Sequence, residues 1–109
     1  MSKHHLGEFE EVVLLTVAIL YGEAYGLAII EEMEKRLDRT VSLGSLQTTL
    51  KRLEEKGYLK SELGEATKMR GGKRKRYFTV SQAGQEALQS AKEQRMALWN
   101  AVPDVAFGN

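Results

Sequence analysis

A chain of 109 residues, 42% apolar and 28% charged, has the length of one domain and enough apolar side chains for a core without staples. It has no cysteine, which excludes disulfides and cysteine-ligated metals, and its longest apolar run (residues 12–21, interrupted by Thr16) is about half of a bilayer span. The net charge of +1 hides a sorted distribution: Lys68, Arg70, Lys73, Arg74, Lys75 and Arg76 fall within nine residues that hold no acid, and the rest of the chain is net acidic.

The N-terminal residues Met1-Ser2-Lys3-His4-His5 run into Glu8, Glu10 and Glu11 and lack the apolar core of a secretory signal, so a soluble cytoplasmic protein is expected. Residues 8–20 predict the first helix. Acids fill its first turn, and apolar residues (Phe9, Val12, Val13, Leu14, Leu15, Val17, Ile19, Leu20) run nearly all round it, which predicts burial on most sides. Gly22 is expected to end it. Residues 25–37 predict a second helix with Leu27, Ile30, Met33 (Ile29 beside them) and Leu37 as its inward face and Glu31, Glu32, Glu34, Lys35 and Arg36 as its wet one.

Ser42 is placed to cap a third helix that ends at Gly57. Its inward stripe reads Leu43, Leu46, Leu50 and Leu53. The opposite direction passes through Ser45, Thr48 and Arg52, with Gln47 and Lys51 flanking. That outward face is short, polar and basic, where an ordinary solvated face would alternate Glu and Lys. Residues 58–63 and 74–80 predict two strands joined by the basic, glycine-containing stretch 64–73. Within the second strand Lys75 and Arg76 are adjacent, which points them to opposite faces. Ser81 is placed to cap a fourth helix over 82–102, before Pro103. At 1.5 Å per residue it is about 30 Å long, more than one small domain can cover.

Three helices, a charged hairpin and a long last helix predict a mostly α fold with a two-stranded β wing. This is a winged helix-turn-helix over 1–80, a C-terminal dimerisation helix over 81–103 and a tail over 104–109. A helix entering the major groove needs small or flat polar side chains near its start, and a basic hairpin suits phosphates. The candidate DNA contacts are therefore Ser45, Gln47, Thr48, Lys51 and Arg52 on the third helix and Lys68, Arg70, Lys73 and Arg74 on the wing. The candidate dimer surface is Leu88, Ala91, Arg95, Leu98, Trp99 and Val102, with a fold-back of Trp99 onto the first helix as the competing reading. Double-stranded DNA and a second copy of the chain are the expected partners. No catalytic cluster, cofactor motif or metal-ligand spacing is present in the sequence, so an enzyme is not expected. The alternative is a winged-helix module that binds other proteins, against which the basic wing argues.

The stretch Ser42-Leu-Gly-Ser-Leu-Gln-Thr-Thr-Leu-Lys-Arg-Leu-Glu-Glu-Lys-Gly-Tyr-Leu59 resembles the recognition helix and exit of the PadR-like transcriptional regulators. Tyr25-Gly26-Leu27, Arg70-Gly-Gly-Lys-Arg-Lys-Arg-Tyr-Phe78 and Thr79-Val-Ser-Gln-Ala-Gly84 resemble the same family in the same order. The resemblance implies a prokaryotic, dimeric transcription factor, usually a repressor, paired mainly through a single C-terminal helix as in the short branch. It also implies that a small aromatic effector binds near the dimer interface, with Trp99 as the candidate ligand-binding residue. Where the family usually carries tyrosine on the DNA-facing surface, this chain has Gln47.

Overall fold

The computed structural model describes residues 5–64 and 74–108; Lys68, Arg70 and Lys73 lie outside the described residues. The order is α1 (Glu8–Ile19), α2 (Gly26–Leu37), α3 (Leu43–Glu55), β1 (Leu59–Leu63), β2 (Arg76–Val80) and α4 (Gln82–Ala101), followed by a 3₁₀ turn at Asp104–Phe107 where a bare tail is expected from sequence. β1 and β2 form a two-stranded antiparallel sheet with Leu59 opposite Val80 and Leu63 opposite Arg76.

The helix ends follow from local chemistry. Ser42 Oγ accepts the Ser45 N–H at 3.1 Å and Ser81 Oγ accepts the Gly84 N–H at 3.0 Å, so both serines cap as their sequence positions imply. α3 stops in a Schellman turn. Tyr58 N–H reaches Leu53 C=O at 2.9 Å, Gly57 N–H reaches Glu54 C=O at 3.0 Å, and Gly57 takes the left-handed φ of 84° that glycine adopts without a Cβ clash. Asp38 ends α2 in the same region, at φ 51°.

Val13, Leu14 and Val17 of α1, Ile29 and Met33 of α2, Leu46, Leu50 and Leu53 of α3, with Tyr58, Leu59, Phe78 and Ala87, make one core. Three leucines that the helical spacing places inward are exposed: Leu27 (60%), Leu37 (45%) and Leu43 (44%). Leu37 is the last residue of α2 and Leu27 and Leu43 lie in the first turns of α2 and α3, so the apolar repeat continues past the edge of the neighbouring helices. Thr49, not Leu43, completes the buried stripe of α3. α1 is also less enclosed than its composition implies. Leu15 and Ile19 remain about half exposed along one line of the helix.

Two junctions set the position of the sheet. The Phe78 N–H donates to Ala24 C=O at 2.9 Å, which pins the edge of β2 to the α1–α2 turn. Ser81 donates its hydroxyl to Gly57 C=O at 2.6 Å while its N–H reaches Tyr58 C=O at 3.0 Å, which locks α4 against the end of α3. The wing therefore leaves the body beside α3, and α4 projects from it. The molecule is 61 Å long and 21 Å thick.

Candidate nucleic-acid interface

The exposed side of α3 carries Ser45, Gln47, Thr48, Lys51 and Arg52, all open to solvent as the helical wheel requires. They divide between two flanks. Gln47 and Lys51 face the wing. Ser45 borders a depression with Phe9, Arg39, Thr40 and Val41 near the start of α1. Arg52 lies on the same side, close enough for its charge to act on the Glu10 carboxylate. Arg39 reaches Glu8 at 3.0 Å and sits over the Phe9 ring, so this rim already has its charge paired.

Glu10 is the one strongly buried acid of the described residues, at 7% exposure. Burial works against its charged form. The Gly7 N–H at 2.9 Å and the Lys56 ammonium at 2.9 Å outweigh burial, and with Arg52 they hold the carboxyl below its ordinary value. Lys56 also donates to the His5 carbonyl at 3.4 Å. This cluster ties the end of α3 to the start of α1 and so fixes the position of α3.

Between α3 and the wing runs a cleft of about 510 Å³. Its floor is Leu43, Leu50 and Phe78, and its sides are the start of α2 (Tyr25, Gly26, Leu27), the flank of α3 (Gln47, Lys51, Glu54), and Lys75 and Arg76 at the start of β2. Lys75 Nζ lies 4.0 Å from the centre of the Tyr25 ring, and Tyr77 meets the same ring edge-on at 5.7 Å. Arg76 donates to Ser61 Oγ at 2.9 Å, and Ser61 donates to Glu54 Oε2 at 2.7 Å. The sequence expectation of a strand from 74 puts Lys75 and Arg76 on opposite faces, but β2 starts at Arg76, so alternation does not bind Lys75, and both border the cleft, with Lys75 lying over Tyr25. Among the described residues no acid forms an ion pair with Lys51, Lys75 or Arg76.

Of the wing candidates, Arg74 is described and exposed at the approach to β2. Tyr25, Ser61, Lys75 and Arg76 are not among the candidate DNA contacts read from sequence, although Tyr25 opens a family-like motif there. Lys75 and Arg76 are legible as part of the basic run; the role of Tyr25 appears once the start of α2 packs beside β2, and that of Ser61 once the register pairs β1 with β2.

On α4, Ala91 is half-buried and Leu88 is half-buried against the core of its own chain. Arg95 pairs with Glu11 at 2.8 Å, which braces α4 on α1. Trp99 is not folded onto α1: it is 63% exposed, with Phe107 of the 3₁₀ turn at 5.8 Å. Leu98 is 71% exposed and Val102 half-buried. A groove of about 370 Å³ follows α1 and α4, bordered by Glu11, Leu15, Leu88, Lys92, Met96 and Trp99. Among the described residues no helix is long and apolar enough to cross a membrane.

Residues 14–90 match the model of the transcriptional regulator PadR-like family. No curated protein matches the chain in sequence. A PadR-like transcription factor from Bacteroides fragilis superposes with a TM-score of 0.70 at 26% identity, over 84% of each chain. A PadR-like transcriptional regulator from Bacillus cereus gives 0.72 at 22% identity over 93% of each chain. A PadR family transcriptional regulator from Eggerthella lenta gives 0.71 at 24% identity, over 94% of this chain and 88% of the other.

Proposed function

The chain belongs to the PadR-like family of transcriptional regulators, and from that premise we propose that it binds duplex DNA as a homodimer and represses transcription at a two-fold operator. In this reading α3 enters the major groove, where Ser45, Gln47 and Thr48 meet base edges and Arg52 meets a guanine edge or a phosphate. Gln47, where the family usually has tyrosine, offers an amide suited to adenine. The cleft between α3 and the wing takes the sugar–phosphate strand that separates major from minor groove. Lys51, Lys75 and Arg76 line it; Arg74, with Lys68, Arg70 and Lys73 outside the described residues, extends the contact along the wing.

The observation that carries the reading is the cleft itself, in which cations from two separate elements converge beside the polar face of α3 with no acid pairing them among the described residues. The dimer reading rests on α4. Leu98 and Trp99 of α4 and Leu15 and Ile19 of α1 leave apolar surface that a second copy would cover, bringing two recognition helices to two half-sites. A small aromatic effector seated near Trp99 at that interface would release DNA by changing the distance between the two helices.

Fluorescence anisotropy with a random duplex across a salt series tests the core of this. With about four phosphates neutralised per half-site, the dimer is expected to show a log–log slope on the order of −7. An absence of binding at low salt would overturn the reading and favour a protein-interaction module. Quenching of Trp99 fluorescence by a hydroxylated benzoate, with loss of the bound duplex, tests the effector. A reporter driven from the promoter nearest the gene tests repression, which requires expression to rise when the gene is deleted.

A further inference from the structure

Glu54 is out of place in a surface that faces phosphates. It borders the same cleft as Lys51, Lys75 and Arg76, where a carboxylate repels the backbone it must admit. Its geometry gives a reason. Glu54 does not pair directly with Arg76 among the described residues. Ser61 stands between them, donating its hydroxyl hydrogen to Glu54 Oε2 at 2.7 Å and accepting from Arg76 Nη1 at 2.9 Å. The three residues come from α3, β1 and β2. Ser61 and Arg76 share a face of the sheet because Leu63 opposes Arg76 in the register and Ser61 lies two residues from Leu63.

We infer that Ser61 is a positioning residue: as a hydroxyl spacer it fixes the Arg76 guanidinium at the cleft wall and keeps it out of a direct ion pair with Glu54, so that its remaining donors are open to a DNA phosphate. The inference rests on the DNA-binding reading above and deepens it. A guanidinium has five N–H donors in a planar fork. One hydroxyl occupies one of them. A direct fork-to-carboxylate pair would occupy two and cancel the charge. Ser61 therefore separates two states of Arg76, one available to DNA and one neutralised by the protein. Tyr25 acts in parallel on the neighbouring cation just before the strand, since the ring under Lys75 Nζ holds the ammonium in place without neutralising it.

The test uses the whole chain and a random duplex in a salt series, with Ser61→Ala, Ser61→Thr, Glu54→Gln and the double variant Ser61→Ala/Glu54→Gln. With Ser61→Ala, Glu54 closes on Arg76. Affinity is expected to fall on the order of tenfold, and the log–log slope to become shallower by about two for a dimer that loses one phosphate contact per wing. Ser61→Thr keeps the hydroxyl and stays near wild type. Glu54→Gln keeps an acceptor, removes the repelling charge, and binds at least as tightly as wild type. The double variant has no carboxylate left to capture Arg76 and recovers the wild-type slope. A purely structural role for Ser61 would leave the double variant as weak as Ser61→Ala. That result, or an unchanged slope in Ser61→Ala, overturns the inference, as does a tenfold loss in Glu54→Gln. The Arg76 side-chain NMR signals of the free protein give a reading without DNA: they should take on a carboxylate-paired shift in Ser61→Ala and lose it in the double variant. If that pattern appears and no form of the protein binds duplex, the function reading fails while the spacer stands. If wild type binds and the pattern is missing, the spacer fails alone.

Discussion

At the residue scale, two positions decide more than their neighbours. The Glu10 carboxyl sits below its ordinary value, so it contributes stability that is full above that value, 4.5, and is lost as pH falls through the lowered folded-state value. The unfolded chain takes up the proton first on acidification. Glu10→Gln is expected to lower stability by about 1–2 kcal/mol at pH 7, a figure kept small because Lys56 remains a third exposed. The gap between the two proteins should narrow on acidification below the ordinary carboxylate range. Urea unfolding at pH 7 and pH 3 checks this; a gap that does not change with pH would remove Glu10 from the account. Gly84 is the second position. A Cβ there would lie 2.3 Å from the Tyr58 carbonyl oxygen and 2.9 Å from Val80 Cγ1. Alanine gains about 1 kcal/mol of helix propensity over glycine, but overlap with backbone typically costs about 1–3 kcal/mol. The overlap should win: Gly84→Ala is expected to lower the melting temperature by several degrees, read by circular dichroism.

At the scale of elements, α3 and the wing work as a pair because different residues of α3 serve each side of it. Gln47 and Lys51 face the wing, while Ser45 and Arg52 lie toward α1. Arg52→Ala is expected to weaken operator binding by about 1–3 kcal/mol and to relax base preference at one position of the site. Lys51→Ala should weaken specific and random duplexes alike, with a shallower salt slope, as a phosphate contact does. Mobility-shift titrations of both variants against both duplexes separate the roles. An unchanged affinity for Arg52→Ala would take that flank out of the DNA contact.

At the scale of the whole molecule, α4 is long for what it covers. Its first turns close the core through Ala87 and its middle braces on Glu11 through Arg95, but Leu98 and Trp99 project into solvent, Trp99 beside Phe107. Trp99 therefore adds little to the stability of the single chain. Trp99→Asp is expected to leave helical content near wild type while shifting the protein to monomer in sedimentation velocity, and to lower melting only by the stabilisation that dimerisation supplies. Dimer at the same concentration would move the interface elsewhere. A monomer would lose the paired half-sites, so operator affinity should drop much more than affinity for a random duplex.

Features that depend on near neighbours along the chain are legible in the order of residues. Helix spacing, the Ser42 and Ser81 caps, the Gly57 stop, the polar outward face of α3 and the basic run before β2 were all legible there, because capping, turn chemistry and 3.6-residue periodicity act within a few residues. Tertiary structure decided what depends on distant ones. Leu27 and Leu43 keep the apolar spacing yet end in the open because burial is set by where the adjacent helix stops. Lys75 borders the same cleft as Arg76 because β2 begins one residue later than the sequence expectation needs and the Lys75 ammonium lies over Tyr25. Ser61, unremarkable in a strand of five residues, becomes the link between α3 and the wing only through a strand register that no local pattern specifies.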